Sequence, residues 1–293
     1  VELMRRAPEV RDLDDWQVAV RAFERPRVIR IRRRERSARR VRPMKALKVL
    51  FVGESWIKHT IHQKGFDQFH STEYEEGAGV FLDVLAKAGH EVTYVRGHEV
   101  SLRFPRTAEQ LGVFDVVVIS DIGSNSFLLP DETFLRSQKS PNRLGLVADY
   151  VRKGGGLVMI GGYLSFTGID AKARYGMSPL AEVLPVTMLP HDDRIERSEG
   201  APVEVCVPDH PVLGGTPSQW PQLLGYNRLI AKPDAVVVAR SGDDPVVVVG
   251  EIGQGRATAF ASDLAPHWAP PEFINWTHYP KLWNSILGWT AGS

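Results

Sequence analysis

Beyond residue 43 the chain is punctuated by short apolar runs, each closed by glycine or by polar residues. The most marked is Leu157 to Ile160, preceded by Gly154, Gly155 and Gly156 and followed by Gly161 and Gly162. It is too short and too apolar for an amphipathic helix and predicts a strand buried on both faces, as in a parallel sheet. Lys48 to Ser55, Glu91 to Val95 and Asp115 to Asp121 follow the same pattern. Between them the period changes. Val80, Phe81, Val84, Leu85 and Ala88 fall at helical spacing, and Gly89 stops that helix. Thr107 caps a short helix through Leu111, and Asn142 to Lys153 forms another. Ile57 to Tyr74, polar and aromatic with three histidines, predicts a long loop. Strands alternating with helices define an α/β fold: a doubly wound, mostly parallel sheet with helices on both faces.

After Gly168 the pattern shortens. Ser178 to Leu184 predicts a helix. Val186 to Leu189, Val203 to Val207, Ala235 to Ala239 and Val246 to Glu251 predict short extra strands. Gly253 to Arg256 predicts a tight turn, Ala257 to Asp263 a strand, and Phe273 to Gly288 a closing aromatic helix. No internal repeat interrupts residues 44–293, which are expected to form one domain.

Charge divides the chain. Residues 1–43 carry 14 Arg against 7 Asp or Glu, whereas the remainder is mildly acidic. An RNA-binding or membrane-surface arm is one reading of this Arg-rich extension. The interspersed acids and absent lysine favour an extension from an upstream start, with Met44 as the natural beginning. The acidic remainder offers no surface for nucleic acid. No apolar run approaches the ~20 residues of a membrane span, and no charged start leads into an apolar h-region. The expected address is cytoplasmic, with no nucleic-acid or membrane partner. The single cysteine, Cys206, excludes an intramolecular disulfide and is expected to be a buried structural thiol.

The segments Gly53-Glu-Ser-Trp56, Ser120 to Asn125, Gly154 to Gly168, His191 to Arg194, Leu224 to Asn227 and Gly253 through Trp268 carry a resemblance. From about Lys45 to Ala291 the chain resembles the class I glutamine amidotransferase-like superfamily, and within it the group related to trehalose-utilisation-type proteins. The resemblance implies a flavodoxin-like α/β fold. It also implies a Gly-X-Cys-X-Gly turn after the central strand, whose cysteine attacks glutamine with the help of a His-X-Glu pair. Here the turn reads Gly161-Gly-Tyr-Leu-Ser165, with Tyr163 in the cysteine's place. A phenol with a reference pKa of about 10 is largely protonated near neutrality and does not replace a thiolate. Glutaminase activity is therefore not expected.

Ligands of open α/β sheets bind at the carboxyl ends of the strands. Glu54 and Asp121 follow two predicted strands, and Tyr163 and Ser165 follow the central one. Asp263 ends the last strand, and His267 and Trp268 lie in the loop after it. Glu54, Tyr163 and His267 are the expected acid–base group. Ser55, Trp56, Asp121, Asn125, Ser165, Asp263 and Trp268 are the expected ligand-binding residues. His59, His62 and His70 suggest a metal site, but their stretch has no helical period, so no metal and no cofactor are expected. The expected function is action on, or binding of, a small polar, carbohydrate-derived molecule by a homo-oligomer. The alternative is a non-catalytic binding or assembly protein on the same scaffold.

Overall fold

A computed structural model describes residues 45–292; the Arg-rich extension lies outside them. In chain order the strands are β1 (Lys48–Gly53), β2 (Ser55–Lys64), β3 (Asp67–Glu76), β4 (Glu91–Val95), β5 (Val116–Ser120), β6 (Gly156–Ile160), β7 (Val186–Met188), β8 (Arg194–Ala201), β9 (Glu204–Val205), β10 (Leu223–Asn227), β11 (Leu229–Ala231), β12 (Val236–Ser241), β13 (Asp244–Ile252) and β14 (Gly255–Phe260). The main sheet has the order β4-β1-β5-β6-β14-β13-β12-β9. The first five of these strands run parallel, and β13, β12 and β9 extend the sheet by antiparallel pairing.

Both faces of β5 and β6 are buried, which is why their sequences are continuously apolar rather than alternating. Helix Gly79–Lys87 packs with the closing helix Tyr279–Thr290, and helix Arg143–Arg152 packs on β6 and β14. Trp283 joins the layers, its ring 5.3 Å from Phe81 and 4.9 Å from Phe260. Chain direction across the sheet reverses at β1: β4 lies on one side of it and β5 on the other. This is a topological switch point, where a crevice opens at the carboxyl edge.

Three expectations are corrected. The stretch read as a loop is the antiparallel ribbon β2–β3, registered from Ser55↔Glu76 to Lys64↔Asp67. Ribbon residues from Ile57 to Tyr74 are exposed or half-buried on both faces, so the one-sided alternation that reveals a strand is missing. The closing helix is two helices, Pro271–Ile274 and Tyr279–Thr290, because Pro280 suits a first turn and starts the second afresh. Cys206 is exposed, not buried. No helix among the described residues is long and apolar enough to cross a membrane.

Candidate functional site

The turn after β6 is held from beneath. Asn227 at the end of β10 is fully buried and accepts a hydrogen bond from Gly162 N–H at 3.1 Å. Its amide donates to Asp193 Oδ1 at 2.8 Å. Asp193, also buried, accepts from Thr167 N–H at 3.0 Å and Gly168 N–H at 2.8 Å. Ser165 donates to the Ile160 carbonyl at 2.5 Å and accepts from Asp121 N–H at 3.1 Å. The loop from Gly161 to Gly168 is thereby fixed at both ends, and Tyr163 stands at its apex. Gly162 has φ +143°, and a Cβ there would sit 2.8 Å from Asp121 Oδ1.

Above this turn lies a crevice of about 220 Å³ lined by Glu54, Trp56, Asp121, Tyr163, Asp263, Pro266 and His267. Each wall comes from a strand end. Glu54 follows β1 and Asp121 follows β5, and both adopt left-handed backbone, with φ 51° and 41°. Such conformations cost ~1–3 kcal/mol per residue and collect at functional positions. Glu54 is buried; Ser120 Oγ donates to its Oε2 at 2.6 Å. A Cβ on Gly77 would meet Glu54 Oε1 at 2.8 Å, so glycine leaves that carboxyl its place. Asp121 Oδ1 accepts from Leu164 N–H at 2.6 Å. Asp263 Oδ1 accepts from Ala265 N–H at 3.0 Å, and its Oδ2 lies 3.8 Å from His267 Nδ1.

Three carboxyls in one poorly hydrated space cannot all ionise at their ordinary pH. Burial, then the Asp263 and Asp121 charges, push Glu54 well above the carboxylate range. Burial and Asp263 raise Asp121 to about 6, against the opposing pull of Leu164 N–H and His267. Asp263 beside it raises His267. The crevice therefore pairs a Glu54 carboxyl pushed well above its ordinary range with an Asp121 raised to about 6 and a raised imidazole. Tyr163 is raised by burial and by the neighbouring Glu196. Its ring lies 4.0 Å from His267, with the Arg194 guanidinium 4.6 Å over it. Arg194 is itself clamped by Asp192 through contacts of 3.0 and 2.9 Å.

Glu54, Asp121, Tyr163, Asp263, His267 and Trp56 thus meet in one crevice. Trp268 is buried behind it, stacked 5.5 Å from His267 and donating to Glu196 Oε2 at 2.9 Å. Ser165 lies beneath, and both bonds of its hydroxyl go to backbone. Ser55 Oγ accepts from Gly97 N–H at 2.8 Å, away from the lining. Asn125 is exposed at the start of helix Asn125–Leu128 and also lies outside it. The histidines of the ribbon do not converge, since His59 and His62 face opposite sides. Among the described residues no group of three or more His, Cys, Asp or Glu is placed to hold a metal ion. Asp193 and Asn227, which support the whole arrangement, were not singled out as site residues by sequence; only their place in two family-like segments marked them. A larger hollow, of about 350 Å³, opens at the amino ends of the strands beside Asp115 and Lys153, with no buried carboxylate in its lining.

A mostly parallel α/β sheet with an ionisable crevice at its switch point is the architecture of proteins that bind ligands at the carboxyl edge. Residues 48–292 match the family described as "Putative glutamine amidotransferase", and the chain belongs to that family. It is 50% identical to the cytoplasmic protein STM3548 from Salmonella typhimurium, over 83% of this chain and 99% of that one, with a TM-score of 0.81. The cytoplasmic protein STM1381 from Salmonella typhimurium LT2 matches with 50% identity over the same shares and a TM-score of 0.80. A "Putative thua-like protein" from Parabacteroides merdae shares the fold, with 13% identity, a TM-score of 0.52, and coverage of 84% of this chain and 90% of that one. No curated protein matches the chain.

Proposed function

We propose that this amidotransferase-like protein is not a glutaminase but an acid–base catalyst acting on a small, uncharged, hydroxyl-rich molecule of carbohydrate-derived type. One observation carries the reading: a buried Glu54, whose carboxyl is pushed well above the ordinary carboxylate range, shares its crevice with Asp121 and a raised His267. Glu54 can donate a proton while Asp121 or His267 accepts one, the complementary pair that general acid–base chemistry needs. Trp56 and Tyr163 offer faces for a sugar ring, and the carboxyls accept from its hydroxyls. An anionic ligand would meet like charge. Tyr163 stands where the thiol of an amidotransferase would be. Cys206 follows β9, four strands from β6, or about 19 Å at the usual strand spacing. No thiolate reaches the turn within one chain.

The second reading, a binding or assembly protein, draws on the crowding of Tyr163 by Arg194, His267 and Trp268, which leaves its ring little freedom. In both readings the protein is cytoplasmic and homo-oligomeric. Thermal-shift screening of sugars, polyols and amino acids tests the substrate class, followed by NMR of the stabilising compounds incubated with protein and by a glutamine hydrolysis assay. Hydroxyl-rich compounds are expected to stabilise the protein and be converted, with glutamine hydrolysis at the level of the blank. Conversion of glutamine, or stabilisation by charged amino acids alone, would refute the proposal. Stabilisation without conversion would select the binding reading.

A further inference from the structure

Asp263 and His267 stand just past β14, and the chain between them fixes both. Asp263 Oδ1 accepts from Ala265 N–H at 3.0 Å, two residues on, a turn that bends the backbone round its own side chain. The residue is 2% exposed. Its Oδ2 is left facing His267 Nδ1 at 3.8 Å, with no hydrogen-bond partner of its own among the described residues. The imidazole is held on two further sides. Trp268 stacks on it with the planes 13° apart, and the Tyr163 ring meets it at 73° with the centroids 4.0 Å apart. Trp268 is anchored in turn by Glu196 Oε2. Three neighbours thus fix the ring, and one of them addresses a particular nitrogen.

Which nitrogen of an imidazole is bare is set by the bond that the other makes. Asp263 faces Nδ1, so Nε2 is the nitrogen left for the crevice that His267 lines. A separation of 3.8 Å exceeds a formed hydrogen bond, but catalytic pairs are commonly that long before a substrate arrives and tighten in its complex. Asp121, the other candidate base, is differently placed. Its Oδ1 holds the turn through Leu164 N–H at 2.6 Å, a charge-assisted bond that protonation weakens. A proton taken by His267 instead meets Asp263, whose carboxyl steadies the imidazolium. Glu196 and Asp121 also act on the ring as charges, but Asp263 is the carboxyl in contact with a ring nitrogen.

We propose that Asp263 is a positioning residue rather than a ligand-binding one: it accepts from His267 Nδ1–H and presents a bare Nε2 as the base of the crevice. The assignment of the base rests on the acid–base reading above. The tautomer does not, because it is read on the free protein. The test is long-range proton–nitrogen-15 NMR of the histidine rings of the full chain across pH, with His267 assigned through His267→Gln and near-ultraviolet circular dichroism checking the fold of each variant. In the wild type, neutral His267 is expected to carry its proton on Nδ1 and to titrate above ~6.5. In Asp263→Asn the Ala265 N–H keeps the amide oxygen, which turns the amide nitrogen to the ring. The proton should then move to Nε2, and the titration midpoint should fall by ~1 pH unit. Glu196→Gln removes a nearby charge without touching Nδ1 and should leave the tautomer as it is. Any compound the wild type converts should lose ~100-fold or more in kcat with Asp263→Asn. A wild-type proton on Nε2 overturns the proposal. So does a tautomer that Asp263→Asn leaves unmoved, one that Glu196→Gln moves equally, or turnover that survives Asp263→Asn. If no compound is converted, the acid–base reading fails, and the tautomer still decides whether Asp263 positions the ring.

Discussion

Replacing Asn227 with alanine is expected to lower the stability of the protein by about 3 kcal/mol, or ~6–12 °C in Tm for a domain of this size. The side chain is fully buried and every polar atom on it is used. Its removal strands the Gly162 N–H and takes a donor from a buried Asp193 carboxylate. Each buried group left without a partner costs ~1–3 kcal/mol, and charged ones the most. Asn227→Asp provides the contrast. It keeps the shape but sets a second carboxyl against Asp193, so its loss should be large at pH 7.5 and shrink on acidification. Denaturant titration of both variants at two pH values checks this. A change below ~1 kcal/mol for Asn227→Ala would mean that the turn does not depend on this support.

The second large effect is a tilt of stability towards acid. Asp121 titrates at about 6 in the folded chain, against ~3.9 unfolded. Between these values the native state keeps a proton that the unfolded state has lost, so stability falls as pH rises from ~4 to ~6. Two units correspond to up to ~3 kcal/mol. Glu54, raised by burial and by both aspartates, acts in the same direction. His267, raised by Asp263, contributes stability present below ~6.5 and lost as pH rises through its folded value. Carboxylates held low by cations, among them Glu75, Glu76 and Asp192, act in the opposite direction and lose their contribution only as pH falls below ~4. Stability should peak at pH ~4 and decline by several kcal/mol towards pH 8. Asp121→Asn should flatten much of that slope. A Tm that rises steadily from pH 5 to pH 8 would contradict it.

Much of this was legible in the chain because parallel sheets write themselves plainly. A strand buried on both faces is a short apolar run, and the first polar residue after it must stand at the ligand edge. Glu54, Asp121, Tyr163 and Asp263 were expected at that edge for this reason, and His267 from its loop after Asp263; the structure brings these five to one crevice. Ser165 was misplaced because a hydroxyl five residues past a strand end can face the crevice or cap the strand beneath it. It caps the strand, through the Ile160 carbonyl. Asn227 and Asp193 stayed hidden for another reason. They lie 34 residues apart and meet only through the antiparallel pairing of β8 with β10, which neither period announces. The ribbon was hidden because it keeps no side for a core of its own chain.

The account rests on an acid crevice whose carboxyls cannot all be charged at neutral pH. Carbon-13 NMR of the side-chain carboxyls, assigned through Glu54→Gln and Asp121→Asn, reads this directly. Glu54 is predicted to keep its proton well above pH 4.5 and Asp121 to titrate near 6. Two ordinary titrations near pH 4, each unchanged by removing the other group, would contradict the account.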